Sequence, residues 1–349
     1  MNASEIHLPA KAERAFHRWR ARRAREAGHK PHIVPHTGYG STSWIRIFGR
    51  ALLVKEPAGP KSEPTGARGW RNFISVQIEQ APVRVEVAGG SHTVLADHGG
   101  ILDALLEVQL TPGWHSIELS IEDSEPATAN VFVVDPQIRF GIVSDIDDTV
   151  MVTALPRPFL AAWHTFVVNE HARATTPGMP VLYERLTSKN PGAPIIYLST
   201  GAWNVAPTLT RFLSRNLYPA GALLLTDWGP TADRWFRSGR EHKRTMLERL
   251  AKEFPQIKWL LFGDDGQHDE AIYSDFLSHH PENVAAVCIR QLSPGEAVLA
   301  GSTLRDSDRA PSSGSSVPWL YAPDGAGLAD KLEGIGVLDP APQQPEVRA

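Results

Sequence analysis

Three aspartates crowd four positions at the end of an apolar run in RFGIVSDIDDTV (139–150): Asp145, Asp147 and Asp148. Like charges stacked in this way repel, and something must offset the repulsion. A divalent cation would do so, as would a tight turn that points the carboxylates in different directions. A second apolar run ends in Asp264 and Asp265, with Asp269 close behind, in LLFGDDGQHDE (260–270). Ser199 and Thr200 close a third run, Asp227 a fourth, and Lys243 opens the helical stretch EHKRTMLERLAKEF. A lone aspartate after a strand is ordinarily a helix cap or turn residue. Two acidic clusters at two strand ends need a hard cation between them, and Mg²⁺ suits an all-oxygen inventory without histidine or thiol ligands.

The elements that must position these residues begin at about residue 139, where strands and helices alternate. IRFGIVSD, PIIYLST, ALLLTD, KWLLFGDD and VAAVCIRQ have the composition of buried strands. PTLTRFLSRN, EHKRTMLERLAKEF (Leu247, Leu250, Ala251 and Phe254 on one face) and DEAIYSDFLSHH (Ile272, Tyr273, Phe276 and Leu277) read as helices. Alternation of this kind predicts a parallel sheet, whose ligands bind beyond the carboxyl ends of its strands. The acidic and hydroxyl residues fall at those ends.

Upstream the period changes to two. Residues 44–54, 74–78 and 83–87 alternate apolar and polar side chains, AGGS (88–91) reads as a hairpin turn, and TPGW (111–114) separates LLEVQL from HSIELSI in the same way. An antiparallel β-sandwich is expected over 37–138. GPKS, within KEPAGPKSEPTG, lacks the spacing and strand-to-helix context of a phosphate-binding loop. Residues 1–36 form a basic segment: 11–30 holds eight Lys/Arg against two Glu, a net +6. It is either a solvated helix or tail, or an interfacial helix that sets Phe16 and Trp19 against anionic lipid. The expected catalytic domain is 139–302, followed by a partly disordered Ser/Pro/Gly-rich tail over 303–349 with one short helix, AGLADKLEG.

The 349 residues suffice for two domains, with 42% hydrophobic and 21% charged residues. A net charge of −4 predicts no general attraction to nucleic acid. The single cysteine, Cys288, lies in a strand-like run and is expected as a core residue in a reducing compartment. No apolar stretch is long enough for a transmembrane helix, and the N-terminus lacks the pattern of a signal peptide. A cytoplasmic location, with peripheral membrane contact through the basic segment, is the expectation.

D145-I-D147-D148-T149 after an apolar strand resembles the DxDxT signature of the haloacid dehalogenase-like (HAD) phosphatases, and Ser199, Lys243 and Asp264/Asp265/Asp269 follow in the family's order. The resemblance implies a Rossmannoid parallel sheet with helices on both faces. It implies Asp145 as nucleophile, forming an aspartyl-phosphate. Asp147 would protonate the leaving oxygen and then activate water. Thr149 and Ser199 would bind phosphoryl oxygens, and Lys243 would offset negative charge. Asp145, the Asp147 backbone carbonyl and Asp264 would hold Mg²⁺, with Asp265 or Asp269 behind them.

SDIDDTV, YLSTGAWN, LYPAGALLLTDWG, GREHKR, FGDDGQHDEAIY and HPENVAAVCIRQL together resemble the catalytic domain of the actin-patch phosphatidate phosphatase family and its bacterial relatives. That implies conversion of phosphatidate to diacylglycerol. After the second motif the family runs Ser, small residue, Ser-Pro-Trp, where this chain has S199-T200-G201-A202-W203; the departure bears on substrate preference. A soluble phosphomonoester as substrate, or a non-catalytic interaction protein built on a phosphatase fold, are the alternatives. Several assignments stay open at this level. Asp148 is expected to point away, and Arg240 or Arg244 could replace Lys243. Asp269 is either an outer ligand or a helix cap. His268 matters only if it faces the rim, and His279 and His280 fit a helix C-terminus. Phe159, Trp163 and Phe166 form either a lid for acyl chains or a helix packed on the sheet.

Overall fold

Alternating burial underlies the strands found between residues 29 and 55 and between 76 and 134, as the period of two requires. A computed structural model describes residues 18–55, 76–122, 124–152, 174–226, 232–266, 268–299 and 316–340. Phe16, Phe159, Trp163, Phe166 and Asp227 lie outside the described residues. The chain divides into two units, Met1–Pro136 with Gly201–Thr208, and Gln137–Thr200 with Leu209–Ala349.

The first unit opens with a short helix, α1 (18–26). Among the described residues eight strands follow: β1 (His29–Ser41), β2 (Trp44–Lys55), β3 (Val76–Gln77), β4 (Pro82–Val87), β5 (Gly90–Leu95), β6 (Ile101–Glu107), β7 (Gly113–Ile121) and β8 (Ala127–Val134). They form one hydrogen-bonded sheet, β3-β2-β1-β8-β7-β4-β5, with β6 paired to β2. The two separate sheets of the expected sandwich are therefore replaced by a single one. Ile45 of β2, Val85 of β4, Leu102 of β6 and Ile117 of β7 share one apolar core although their strands are spread across the sheet, so the sheet is curled.

One pair, β1 with β8, runs parallel, so the sheet is not wholly antiparallel. The AGGS turn behaves as expected: Val87 pairs with Gly90 across Ala88 (φ 52°) and Gly89 (φ 74°), the left-handed pair a two-residue hairpin requires. TPGW does not. It ends β6, but β6 pairs with β2 while β7 pairs with β4 and β8. Local turn chemistry marks a break in the chain and says nothing about partners. The sheet also starts earlier than residue 37, since β1 begins at His29, and Ala24 of α1 is already buried in the core.

Within this unit His36 stacks on Trp203, with centroids 5.0 Å apart, and Phe48 stacks on the same Trp203 ring at 5.4 Å. Burial, reinforced by the Arg50 guanidinium, pushes His36 down to about 3. The folded chain therefore resists a proton that the unfolded chain accepts near 6.5. Stability linked to His36 is complete above that pH and is lost as pH falls toward the folded value, by roughly 1.4 kcal/mol per pH unit. His36→Phe, which keeps the ring stack, should retain more of its urea stability at pH 4 relative to pH 7 than the parent does. Equal acid sensitivity in the two proteins would contradict this.

The second unit alternates strands and helices: β9 (Phe140–Asp145), α2 (Met179–Lys189), β10 (Ile195–Ala202), α3 (Ala206–Arg215), β11 (Ala222–Thr226), α4 (Ala232–Glu253), β12 (Lys258–Asp264), α5 (Asp269–His279), β13 (Val284–Arg290), α6 (Pro294–Leu299), β14 (Trp319–Ala322) and α7 (Gly325–Gly334). The strand order is β11-β10-β9-β12-β13-β14, and every registered pair is parallel. The near-continuous burial of β9, β11, β12 and β13 is what a parallel sheet demands. Cys288 lies fully buried in β13, and burial pushes its thiol up.

The segment expected as a partly disordered tail supplies the sixth strand. β14 pairs with β13, Asp324 caps α7 by accepting from the Gly327 N–H at 2.9 Å, and Leu328 and Leu332 are buried. The sheet thus extends past residue 302. Among the described residues no helix is long and apolar enough to cross a membrane.

Candidate active site

Strand order alone predicts where chemistry belongs. From β9 the chain proceeds outward through β10 and β11, then returns to the other flank of β9 with β12. The switch point lies beyond the carboxyl ends of β9 and β12. Register places Leu198 beside Asp145 and Phe262 beside Ser144, so Ser199, Asp145 and Asp264 reach the same rim.

Asp145, the last residue of β9, is buried and receives Lys243 Nζ at 2.6 Å. The same ammonium donates to Asp269 Oδ1 at 2.5 Å. Asp269 is the first residue of α5, and the cap position belongs to His268, which makes no side-chain capping bond. Of its two expected roles, the cluster and not the cap is where its carboxylate goes. Asp269 Oδ2 also accepts from the Asp264 backbone N–H at 3.4 Å, and Asp264 Oδ1 accepts from Gly266 N–H at 2.7 Å.

Asp145, Asp264 and Asp269 each offer an oxygen within 4.8 Å of the others, all buried. One ammonium faces three carboxylates. Burial pushes Asp145 up, and the neighbouring Asp269 and Asp147 add to this against the pull of Lys243. Burial likewise pushes Asp264 up, assisted by Asp269, Asp145 and Asp148. Lys243 would be lowered by burial, yet Asp145 and Asp269 more than reverse that and raise it. A site that holds surplus carboxylate out of water, with oxygen donors alone, fits a hard cation.

Asp269 joins the expected carboxylates Asp145 and Asp264, while the side chain of Asp147, expected to offer a metal its backbone carbonyl, accepts from Ser199 Oγ at 3.0 Å. Ser199 thus orients Asp147. Thr149 Oγ1 is buried with no hydrogen-bond partner among the described residues, a hydroxyl suited to a phosphoryl oxygen. Asp265 turns elsewhere, accepting from the Leu292 N–H at 2.8 Å, and half-burial raises it.

The other cations separate cleanly. Arg244 pairs with Asp275 at 3.2 Å, and Arg240 meets His268 Nε2 at 2.9 Å, so Lys243 is the cation in the carboxylate cluster. His279 meets the Asp275 carbonyl, and His280 meets Glu248. Asp148 adopts φ 59°, the left-handed turn that separates the clustered aspartates. A tight turn and a carboxylate cluster are thus both present: the chain turns at Asp148, whose buried carboxylate still acts on Asp264, and the cluster gathers Asp145.

Gly263 leaves no room for a side chain, because a Cβ there would lie 2.7 Å from Asp269 Oδ2 and 2.8 Å from Tyr273. Gly263→Ala should displace Asp269, costing about 1–3 kcal/mol of stability. If the site is catalytic, at least about tenfold of turnover should go with it, since a 1 Å misplacement is costly. Thermal unfolding and phosphate-release assays would check both.

Fold and site together define an α/β domain with a buried lysine–carboxylate centre at the switch point of a parallel sheet. Residues 140–291 match the model of the family described as phosphatidate phosphatase APP1, catalytic domain, a family of phosphoric monoester hydrolases. The match spans under half of the chain and includes Asp145, Asp147, Thr149, Ser199, Lys243, Asp264 and Asp269.

The chain is 24% identical over 233 residues to the phosphatidate phosphatase APP1 of Saccharomyces cerevisiae, covering 63% of this chain and 39% of that protein. It is 25% identical over 153 residues to the uncharacterized protein C29B5.04c of Schizosaccharomyces pombe, covering 44% and 25%. It thus spans about two-fifths or less of these relatives. A solved carbohydrate acetylesterase from Xanthomonas citri, XAC1771, aligns at 11% identity over 78% of this chain and 73% of that one, with a TM-score of 0.28, too low to carry an argument.

Proposed function

We propose that this chain is a Mg²⁺-dependent phosphatase of the haloacid dehalogenase-like type that hydrolyses phosphatidate to diacylglycerol and phosphate. The observation that carries it is the division of labour between two aspartates two residues apart. Asp145 rests on Lys243 inside the carboxylate cluster, and Asp147 rests on Ser199 outside it. One is placed to attack and the other to move protons.

Asp145 bonds to phosphorus as the bond to the leaving oxygen breaks, and Asp147 gives that oxygen its proton. Asp147 then takes a proton from water, which displaces phosphate from Asp145. Lys243 and Thr149 counter the charge on the phosphoryl oxygens. Asp145, Asp264 and Asp269 would hold Mg²⁺, whose contribution is neutralisation of phosphate charge. The family match supports the lipid phosphate as substrate.

The test is phosphate release from phosphatidate in detergent micelles beside a panel of soluble phosphomonoesters, with Mg²⁺ and with chelator. Metal-dependent release from phosphatidate is expected. Release from soluble esters alone would remove the lipid and keep the chemistry, and no release from folded protein would favour an interaction role.

A peripheral contact with anionic lipid belongs to the same reading. In α1, Arg18 and Arg22 are exposed and Trp19 is 44% exposed, while Ala24 anchors the helix in the core. Near an anionic surface each arginine contributes roughly 1 kcal/mol, so Arg18→Gln with Arg22→Gln should weaken vesicle binding about 10- to 30-fold. Co-sedimentation with phosphatidate-containing vesicles would measure it; unchanged binding would exclude α1.

A further inference from the structure

Arg290 ends β13 beside Asp264 of β12, its register partner, and is buried to 4% exposure. A guanidinium in such a place must have its donors taken up. Its Nη2 donates to Glu296 Oε1 at 2.7 Å, its Nε to the Pro323 carbonyl at 3.3 Å, and its Nη1 to the Asp148 carbonyl at 2.7 Å. Its own backbone carbonyl accepts from the Asp265 N–H at 3.1 Å, and two residues on, the Leu292 N–H donates to Asp265 Oδ1 at 2.8 Å. The same short segment therefore grips both acidic turns, the one after β9 by side chain and the one after β12 by backbone.

The first turn is the one that needs holding. Asp148 sits at φ 59°, a left-handed conformation that an L-residue adopts only at a cost. The turn's closure rests on the Val150 and Met151 N–H groups donating to the Ile146 carbonyl, and on Asp148 N–H donating to the Met151 carbonyl. Fixing the Asp148 carbonyl fixes the plane of the Asp148–Thr149 peptide, since that bond is planar and trans. Asp147 precedes that plane and Thr149 follows it.

We infer that Arg290 is a positioning residue: anchored by Glu296, it sets the turn bearing Asp147 and Thr149 in register with the turn bearing Asp264. It acts through the Asp148 carbonyl. The kinetic part of this inference rests on the reaction proposed above.

The test uses Arg290→Gln and Arg290→Lys in the full chain. Amide hydrogen exchange is read first, because it does not depend on turnover. Arg290→Gln should speed exchange at Asp148, Val150, Met151 and Asp265 at least tenfold, leave the β9 amides unchanged, and be partly corrected in Arg290→Lys. Exchange equal to the parent at these four amides overturns the inference. Turnover of an aryl and an alkyl phosphomonoester is read second.

A displaced proton donor harms the ester with the poorer leaving group more. Arg290→Gln should therefore lose about 30- to 100-fold in kcat on the alkyl ester and under tenfold on the aryl ester, with KM changed less than threefold. Equal losses on both esters would make Arg290 a stabiliser of the fold alone and overturn the positioning role. A parent inactive on both esters would refute the proposed reaction, and the exchange data would then decide on Arg290 by themselves.

Discussion

Asp145→Asn should abolish phosphate release, lowering kcat by at least about 10³-fold while the protein stays folded. The amide is nearly isosteric with the carboxylate and can still accept from Lys243, so the contact at 2.6 Å persists in weaker form. What disappears is the group proposed to attack phosphorus. Stability should move little, because two opposed effects accompany the change. The Lys243 pair weakens, but the repulsion that burial and the neighbours Asp269 and Asp147 impose on Asp145 is removed. Thermal unfolding within a few degrees of the parent, together with loss of activity, is the expected pair of results. Substantial residual turnover would mean that another group attacks phosphorus.

Lys243→Met should be harsher, because it damages site and fold together. Lys243 is buried and holds Asp145 and Asp269 at once. Its removal leaves two buried carboxylates without their cation, beside a third in Asp264. Removing one partner of a buried ion pair costs about 3–5 kcal/mol, since the remaining charge cannot recover its hydration. Activity should fall by at least about 10²-fold, the scale of losing a stabilising charge at phosphorus.

Urea unfolding with and without Mg²⁺ separates the two consequences. If the carboxylates accept a divalent cation, millimolar Mg²⁺ should restore part of the lost stability in the variant and more than it adds to the parent. Lys243→Arg is not a safe control, because a planar fork cannot replace a compact ammonium between two close carboxylates. Unaltered stability in Lys243→Met would show that the cluster is tolerated without its cation.

Much of the site is legible in the amino-acid sequence, for a simple physical reason. Residues that end buried parallel strands are read from local hydrophobic runs, and a parallel sheet sends all those ends to one edge. Asp145, Ser199 and Asp264 therefore declare themselves, and Lys243 follows as the cation of an amphipathic helix, although that helix begins at Ala232 and carries Lys243 at its middle, not in its first turn. Asp269 and Asp265 cannot be told apart in this way. Both follow β12 within five residues, and only the turn decides that Asp269 meets Lys243 while Asp265 meets the Leu292 amide.

Arg290 gives no signal either, because IRQL reads as the end of a strand and its three acceptors lie at Asp148, Glu296 and Pro323. The β domain divides along the same line. Period-two alternation suffices for strands, and Ala88-Gly89 for a hairpin, since both are set by neighbours in the chain. Pairing is set by neighbours in space. TPGW therefore misleads about β6 and β7, β1 joins β8 in parallel, and one curled sheet stands where two were expected.

The sequence by itself determined which side chains would crowd the strand ends and what chemistry they suit, because strand, turn and charge are local properties. Only the tertiary structure decided which carboxylates share Lys243, that WLYA completes the sheet as β14, and that Arg290 spans the two acidic turns. Those outcomes depend on contacts between residues far apart in the chain, where burial leaves each charge and hydrogen-bonding group only the partners that packing brings within reach.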